Sequence, residues 1–259
     1  MFTSFEWRKY YEENARSLLE IPWHLGHELS KEEEKAIVAS VQDFQAGESS
    51  EGRHLLQYAK TYAEQTGDHE YIESIRLFIA EEQRHARDLA HFLQINEISL
   101  VKTTFTDGIF RQLRQLLGNL EMSISVLIAA EIIAKVYYTA LRDATNSRIL
   151  QTLCKQILQD EVRHVEFQAE RLGVLRAERN WLLFAVTNGL QRFLFWGTCL
   201  VVWMFHRRVF LKSGYSFVKF WKHCWKEFDH ALQISRDVIR IMNVRNKSAP
   251  VEHTFNSGS

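Results

Sequence analysis

The sequence predicts an all-α fold, on two observations. Only two prolines occur in the 259 residues, Pro22 and Pro250, so the long stretch between them has no proline to interrupt a helix. No segment shows sustained alternation of apolar and polar residues, which argues against a sheet. We therefore expect long helices that pack against one another.

Capping and turn residues place these helices along the chain. Ser30 and Glu33 form a capping-box pattern, and two polar turns, 66–68 and 145–147, separate long helical segments. Short turns force the joined helices to pack antiparallel. The predicted helices span residues 3–19, 31–65, 69–95, 107–144, 179–211 and 216–243. A further helix runs from the turn at 145–147 to about residue 176.

These helices predict an antiparallel four-helix bundle with additional C-terminal helices. An N-terminal helix and loop occupy residues 1–30, and the bundle occupies 31–176. Basic, aromatic-rich helices at 177–245 are expected to pack on the bundle, and a polar tail at 246–259 is expected to be disordered.

Charge and cysteine content exclude several classes of protein. The net charge is zero, so the chain gives no case for nucleic-acid binding. The three cysteines are far apart and form no C-x-x-C pair, which excludes rubredoxin-like, zinc-ribbon and iron–sulfur sites. Scattered cysteines and a charged N-terminus without an apolar core predict a cytoplasmic protein.

Two segments share the pattern acid-Glu-x-Arg-His, at residues 81–85 and 160–164. A spacing of three puts the second acid and the histidine of each copy on one helix face. Iron and manganese accept both carboxylate oxygen and imidazole nitrogen. Because two copies in matched positions are improbable by chance, we predict that they bind metal through Glu82, His85, Glu161 and His164.

Each copy also needs a carboxylate from its partner helix. Glu131 lies in an apolar run, where an unpaired charge is costly. It mirrors Glu161 about residue 146, the middle of a predicted turn. The same rule applied to Glu82 points to Glu51, although Glu48, one turn earlier, could replace it.

Further residues extend the two copies. Tyr58 and Tyr138 each follow a predicted ligand glutamate by seven residues. Each tyrosine is therefore either an ordinary core residue or a hydrogen-bond donor to the opposite cluster. His54 follows Glu51 by three and is read as a surface or outer residue that could also contact metal. His206 has no partner spacing and is expected to be structural.

The six predicted ligands and their order resemble the ferritin-like carboxylate-bridged di-iron superfamily. The doubled motif is similar to bacterial multicomponent monooxygenases and to the small subunit of class I ribonucleotide reductase. A glutamate with a tyrosine seven residues later resembles ferritins and rubrerythrins. The resemblance covers residues 31–176. It implies two iron ions, or manganese, held by Glu51, Glu82, His85, Glu131, Glu161 and His164, with Glu81 and Asp160 orienting the histidines.

The resemblance implies a dinuclear-iron oxidase or oxygenase that uses O₂ to oxidise a small organic substrate. The sequence encodes no electron-transfer domain, so an external reductase or ferredoxin would be required. Two alternatives stay open. One is a ferroxidase or peroxide-scavenging protein of the ferritin or rubrerythrin kind, and the other is a non-enzymatic helical interaction protein.

The C-terminal region is basic and aromatic. Residues 181–245 carry ten Lys or Arg against three acids, a balance of +7. The apolar run 193–205 is shorter than the roughly 20 residues of a membrane span. A span stays an alternative, but a buried helix or a homodimer interface is favoured. Lys219, Lys222 and Lys226 share one helix face with aromatic residues nearby. That helix either caps the bundle or makes peripheral contact with the inner face of a membrane.

Overall fold

The computed structural model describes residues 1–49, 52–101, 118–177 and 179–248. Within these ranges the chain is helical and contains no strand, which confirms the all-α class. A short 3₁₀ turn, Trp23–Leu25, follows the first helix. The helices are α1 Ser4–Asn14, α2 Lys31–Glu48, α3 Arg53–Thr66, α4 Glu70–Ile95, α5 Leu120–Ala144, α6 Arg148–Arg176, α7 Trp181–Lys212 and α8 Phe217–Ser248.

The start of α2 confirms the predicted capping box. The Ser30 hydroxyl accepts from the Glu33 backbone N–H, and the Glu33 carboxylate accepts from the Ser30 N–H. The other carboxylate oxygen of Glu33 accepts from the backbone N–H of Asn146, at 2.6 Å. One buried glutamate therefore caps α2 and also fastens it to the turn between α5 and α6.

The predicted single helix over 31–65 is wrong, because the chain breaks between α2 and α3. Gly52 adopts a left-handed backbone conformation with φ of 61°. A Cβ at this position would lie 2.5 Å from the Ile79 side chain on α4. Only glycine meets both conditions without strain, so the helical path is interrupted at Gly52 and a new helix begins at Arg53.

Other helix ends differ from the sequence prediction by a few residues. α1 ends at Asn14 rather than at 19, and α8 continues to Ser248, past the predicted start of the tail at 246. The predicted third helix began at 107, but residues 102–117 lie outside the described residues, as do 249–259.

Helices α2, α4, α5 and α6 contact one another and share one apolar core. α5 is buried on nearly all sides, which explains why it is apolar enough to resemble a membrane span. α1 packs on α4, whereas α7 packs on α5 and α2. The four core helices are therefore covered by α1 on the α4 side and by α7 on the α5 and α2 side.

α8 packs with its aromatic face inward, mainly against α6. Phe220, Cys224 and Phe228 are fully buried, whereas Lys219 and Lys222 are exposed. At the closest approach of the two helices, a Cβ on Gly173 would lie 2.7 Å from both the Ser235 carbonyl oxygen and the Val238 Cβ. The α6–α8 contact therefore depends on the absence of a side chain at this glycine.

We expect Gly173→Ala to destabilise the protein by about 1–3 kcal/mol, because the new methyl group forces α6 and α8 apart. The matched control is Gly189→Ala on α7, where nothing lies within 4 Å of the added Cβ. This control should gain up to about 1 kcal/mol through helix propensity. Thermal and urea unfolding measure both changes, and equal stability of the two variants would contradict the assigned contact.

Candidate metal centre

The two predicted histidines are fully buried and are held crosswise between α4 and α6. His85 of α4 places its Nε2 3.0 Å from Oδ2 of Asp160 on α6. His164 of α6 places its Nε2 3.0 Å from Oε2 of Glu81 on α4. Each acid that was predicted to orient a histidine thus contacts the histidine of the other helix, and both Nδ1 atoms face the interior.

The inward Nδ1 of His164 lies among three carboxylates. It is 3.0 Å from Oε1 of Glu82 and 3.7 Å from an oxygen of both Glu131 and Glu161. The Nδ1 of His85 lies 3.7 Å from Glu82 and 3.8 Å from Glu161. Five of the six predicted ligands are therefore brought together.

These donors form two groups that share one residue. Glu82, Glu131, Glu161 and His164 place one donor atom each within 4.8 Å of one another. Glu48, Glu82 and His85 form a second such group. Because Glu82 belongs to both groups, the arrangement provides two adjacent positions for cations with a carboxylate between them.

Glu48, which the sequence offered as the alternative to Glu51, belongs to the second donor group. The Glu48 carboxyl is buried at the end of α2 and accepts a 2.7 Å hydrogen bond from the Tyr138 hydroxyl of α5. Burial and the nearby Glu82 raise the pKa of Glu48 well above its usual range. Glu51 lies outside the described residues. Counting along an unbroken helix favoured Glu51, whereas the chain breaks after Glu48.

His54 and Tyr58, which the sequence offered as outer residues of the site, lie outside the cluster. His54 is exposed on α3. Tyr58 is partly buried against the apolar core, and among the described residues its hydroxyl has no hydrogen bond to the cluster. Of the two predicted tyrosines, only Tyr138 therefore contacts a carboxylate of the centre in the described part of the chain.

Sequence reasoning missed two polar residues that support the centre. The Asn14 amide on α1 donates to Glu81 at 2.6 Å and to Asp160 at 2.8 Å. The Gln156 amide donates to both oxygens of Asp160 at 3.1 Å. The i,i+4 spacing of Gln156 and Asp160 was visible in the sequence, whereas nothing there brings Asn14 to this point.

Asp160 accepts more hydrogen bonds than Glu81, the other acid that contacts a histidine. Arg84 also donates to it, at 2.5 Å. Burial opposes ionisation of Asp160, but the hydrogen bond to His85 and the neighbouring charges of His85 and Arg84 lower its pKa to about 2. Asp160 is therefore an anion that can accept a hydrogen bond from the His85 Nε2–H. The unprotonated Nδ1 of His85 is then free to bind a metal ion.

The donor set can be tested against a metal by its unpartnered atoms. Buried polar atoms are normally hydrogen-bonded, and each exception needs an explanation. Among the described residues, five buried atoms in this cluster have no hydrogen-bond partner. They are the Nδ1 atoms of His85 and His164, Oε1 of Glu82 and both carboxylate oxygens of Glu161. Divalent cations would satisfy all five, so the residues fit a dinuclear metal centre.

The pKa values of the three central glutamates are shifted in different directions. Burial raises the pKa values of Glu82 and Glu161, and repulsion from Glu131 adds to the effect. The pKa of Glu131 is lowered, because its close contacts with His164 and Glu161 outweigh its burial. Burial opposes the charge of His164, but the surrounding carboxylates raise its pKa well above the ordinary value.

A cavity of about 130 Å³ adjoins the centre. Its walls come from α2, α5 and α7 and are mainly apolar, with Ala130, Ile133 and Val202 among them. Glu48, Glu82 and Glu131 also face this space, so it reaches the proposed ligands. A small molecule in the cavity would lie against the centre.

Asp43 and His206 also line the cavity. The Nδ1 of His206 is hydrogen-bonded to the Ser40 hydroxyl at 2.7 Å, and its Nε2 lies 3.3 Å from Asp43. Burial lowers the pKa of His206 to about 4, despite the opposing effect of Asp43. His206 is therefore a neutral wall residue at neutral pH.

Comparison with protein-family models, with curated proteins and with solved structures gave no match for this chain. What the centre binds is therefore inferred from its donor atoms and their surroundings.

We expect metal binding to release protons and to strengthen as pH rises. The raised pKa values of Glu48, Glu161 and His164 mean that the metal-free protein holds protons near neutral pH. A metal ion displaces them, so for each proton released the affinity should rise about tenfold per unit increase in pH. Calorimetric titration with Mn²⁺ in buffers of different ionisation enthalpy measures this release. Buffer-independent heats and a pH-independent affinity would contradict it.

Proposed function

We propose that α2, α4, α5 and α6 form a ferritin-like four-helix bundle whose dinuclear iron centre uses O₂ to oxidise a small organic substrate. One observation carries the proposal. Carboxylates and imidazoles from four helices converge with unpartnered buried atoms, directly beside a mainly apolar cavity. In a purely structural cluster these atoms would be hydrogen-bonded to each other, and the adjoining space would not be needed. Here His164 Nδ1 approaches Glu82 Oε1 to 3.0 Å, whereas His85 Nδ1 stays 3.7 Å from Glu82 and 3.8 Å from Glu161, beyond hydrogen-bond distance.

The ligands divide between two ions. Glu48 and His85 would hold one ion, and Glu131 and His164 the other. Glu82 belongs to both donor groups, and Glu161 approaches both histidines. These two carboxylates would therefore help to hold both ions. Manganese suits the same donors, and Glu51 stays a candidate ligand from the sequence.

Two iron ions in this centre would supply the electrons that reduce O₂. The chain's own residues position and protect them. Asp160 and Glu81 accept from the outer Nε2–H of the histidines, which fixes the tautomer and leaves Nδ1 as the donor atom. Tyr138 holds Glu48 through its hydroxyl. Electrons would reach the centre from a separate reductase or ferredoxin.

The cavity restricts the substrate by size and polarity. An apolar cavity of about 150 Å³ in another protein accepts benzene, so a space of this size admits molecules of about that bulk. The walls are mainly apolar, and the polar pair Asp43 and neutral His206 contact each other at 3.3 Å. We therefore propose a small, uncharged and largely apolar substrate.

The first test concerns metal content. The purified protein should bind two iron or manganese ions per chain, because its carboxylates and histidines match the ligand set of di-metal helix bundles. Glu48→Ala, His85→Ala and Glu161→Ala should each lower that number, because each removes a donor from the cluster. His54→Ala is the matched control, since this histidine is exposed and should leave the metal content unchanged. Metal analysis after desalting decides, and wild-type content in all three site variants would refute the centre.

The second test concerns chemistry. We expect the anaerobically reduced di-iron protein to consume O₂ without building an iron mineral. Ala130→Leu should slow this reaction severalfold, because the added side chain fills the cavity beside Glu131, while iron content and thermal stability stay close to wild type. Oxygen-electrode traces and iron counts provide the readouts. Accumulation of hundreds of irons per assembly would instead support an iron-storage function.

A further inference from the structure

Helix α7 is apolar both on the side that faces the protein and on the side that faces outward. Its inner side is buried: Val202 lines the cavity beside the metal centre, and Phe195 packs on Trp225 and Phe228 of α8. Helices α5 and α7 are both long and apolar enough to cross a membrane, but 78% of the most apolar window of α5 is buried and only 33% of that of α7. Core packing thus explains α5 and leaves the outer side of α7 unexplained.

Most of the exposed apolar residues of α7 lie along one line, and Leu183, Trp196 and Phe205 are exposed beside it. The line begins at Leu182, and its six further members follow at offsets of 4, 8, 11, 18, 22 and 29 residues, all close to multiples of the 3.6-residue turn. At a rise of 1.5 Å per residue the line is about 44 Å long. Among the six strongly exposed members, the exposed fraction runs from 49% to 71%. The line comprises Leu182, Val186, Leu190, Phe193, Leu200, Met204 and Leu211, and Leu200 is partly exposed.

Cations surround one end of this line. Residues 179–226 contain eight Lys or Arg and no Asp or Glu. Arg207 and Arg208 flank the line on either side, one turn before its last residue. All five cations at the corner between α7 and α8 are exposed, and none forms an ion pair with an acid in the described ranges. These are Arg207, Arg208, Lys212, Lys219 and Lys222.

We propose that the outer face of α7 docks on an anionic lipid bilayer and lies in its interface. An apolar helix face with flanking cations binds such a surface through buried area and through attraction to lipid phosphates. Because the inner face of α7 packs on α5 and α2, the helix lies along the bilayer surface rather than across it. This surface differs from the α8 face that the sequence suggested, since the aromatic face of α8 packs inward.

Charge favours a bilayer over a second copy of the chain. If two α7 faces paired, the apolar lines would be covered. The cations of residues 179–226 would then face a segment that has no carboxylate of its own. Anionic lipid supplies negative charge to the cations at the corner between α7 and α8, whereas Arg179 and Arg192 already pair with Glu121 and Asp229. The proposal does not depend on the metal centre.

The experiment is co-sedimentation of the full chain with vesicles of phosphatidylcholine, with and without phosphatidylglycerol. We expect binding to the anionic vesicles that weakens as salt rises, since exposed charges are screened over about 8 Å at physiological ionic strength. Phe193→Glu should weaken this binding about tenfold or more, because it places a charge in the apolar line. Arg207→Glu combined with Arg208→Glu should weaken it similarly and flatten the salt dependence.

The matched control is Leu18→Glu, an exposed apolar residue in the segment after α1, which should bind vesicles like the wild type. Circular dichroism melts verify folding, and Val186→Glu replaces Phe193→Glu if the latter does not fold. Absence of binding to anionic vesicles, or equal binding to neutral ones, would overturn the proposal. So would a dimer in light scattering that Phe193→Glu converts to a monomer, because the second copy would then be the occupant of this face.

Discussion

The structure depends on two crossed hydrogen bonds, His85 to Asp160 and His164 to Glu81. Each bond joins α4 to α6, and each turns the free nitrogen of a buried histidine toward the carboxylates. A shift of either helix by one residue would rotate these side chains by about 100° and break both bonds. Register, histidine orientation and cluster geometry are therefore one constraint. Asn14, which donates to both acids, adds α1 to it.

Local spacing predicted the part of the centre that lies on single helices. The Glu-x-x-His pairs of α4 and α6 needed only helix periodicity, and Glu131 stood out as a charge in an apolar run. Glu48 was harder, because its position relative to Glu82 depends on where α2 ends. α2 is separated from α3 just before Gly52, which lies close to Ile79 of another helix, a contact that no local pattern records. The contacts of Asn14 are likewise purely tertiary.

The C-terminal helices show a second limit on sequence reasoning. Composition showed that α7 and α8 are apolar and basic, but it does not tell which face of each helix meets the bundle. The clear amphipathic pattern of α8 is satisfied by packing on α6, with Gly173 allowing the close approach. α7 has apolar residues all round, so its pattern has no polar side to mark as outer. Only the packing identifies its exposed line.

The two proposals meet at α7, although neither requires the other. Val202 and His206 of α7 line the cavity beside the centre, while Phe193 and Met204 of the same helix face outward. One helix would then separate the metal centre from the lipid. A charged wall residue would be costly in such a position. The low pKa of His206, which burial moves to about 4, keeps this wall neutral. An apolar substrate that partitions into lipid would thus be concentrated one helix away from the cavity that fits it.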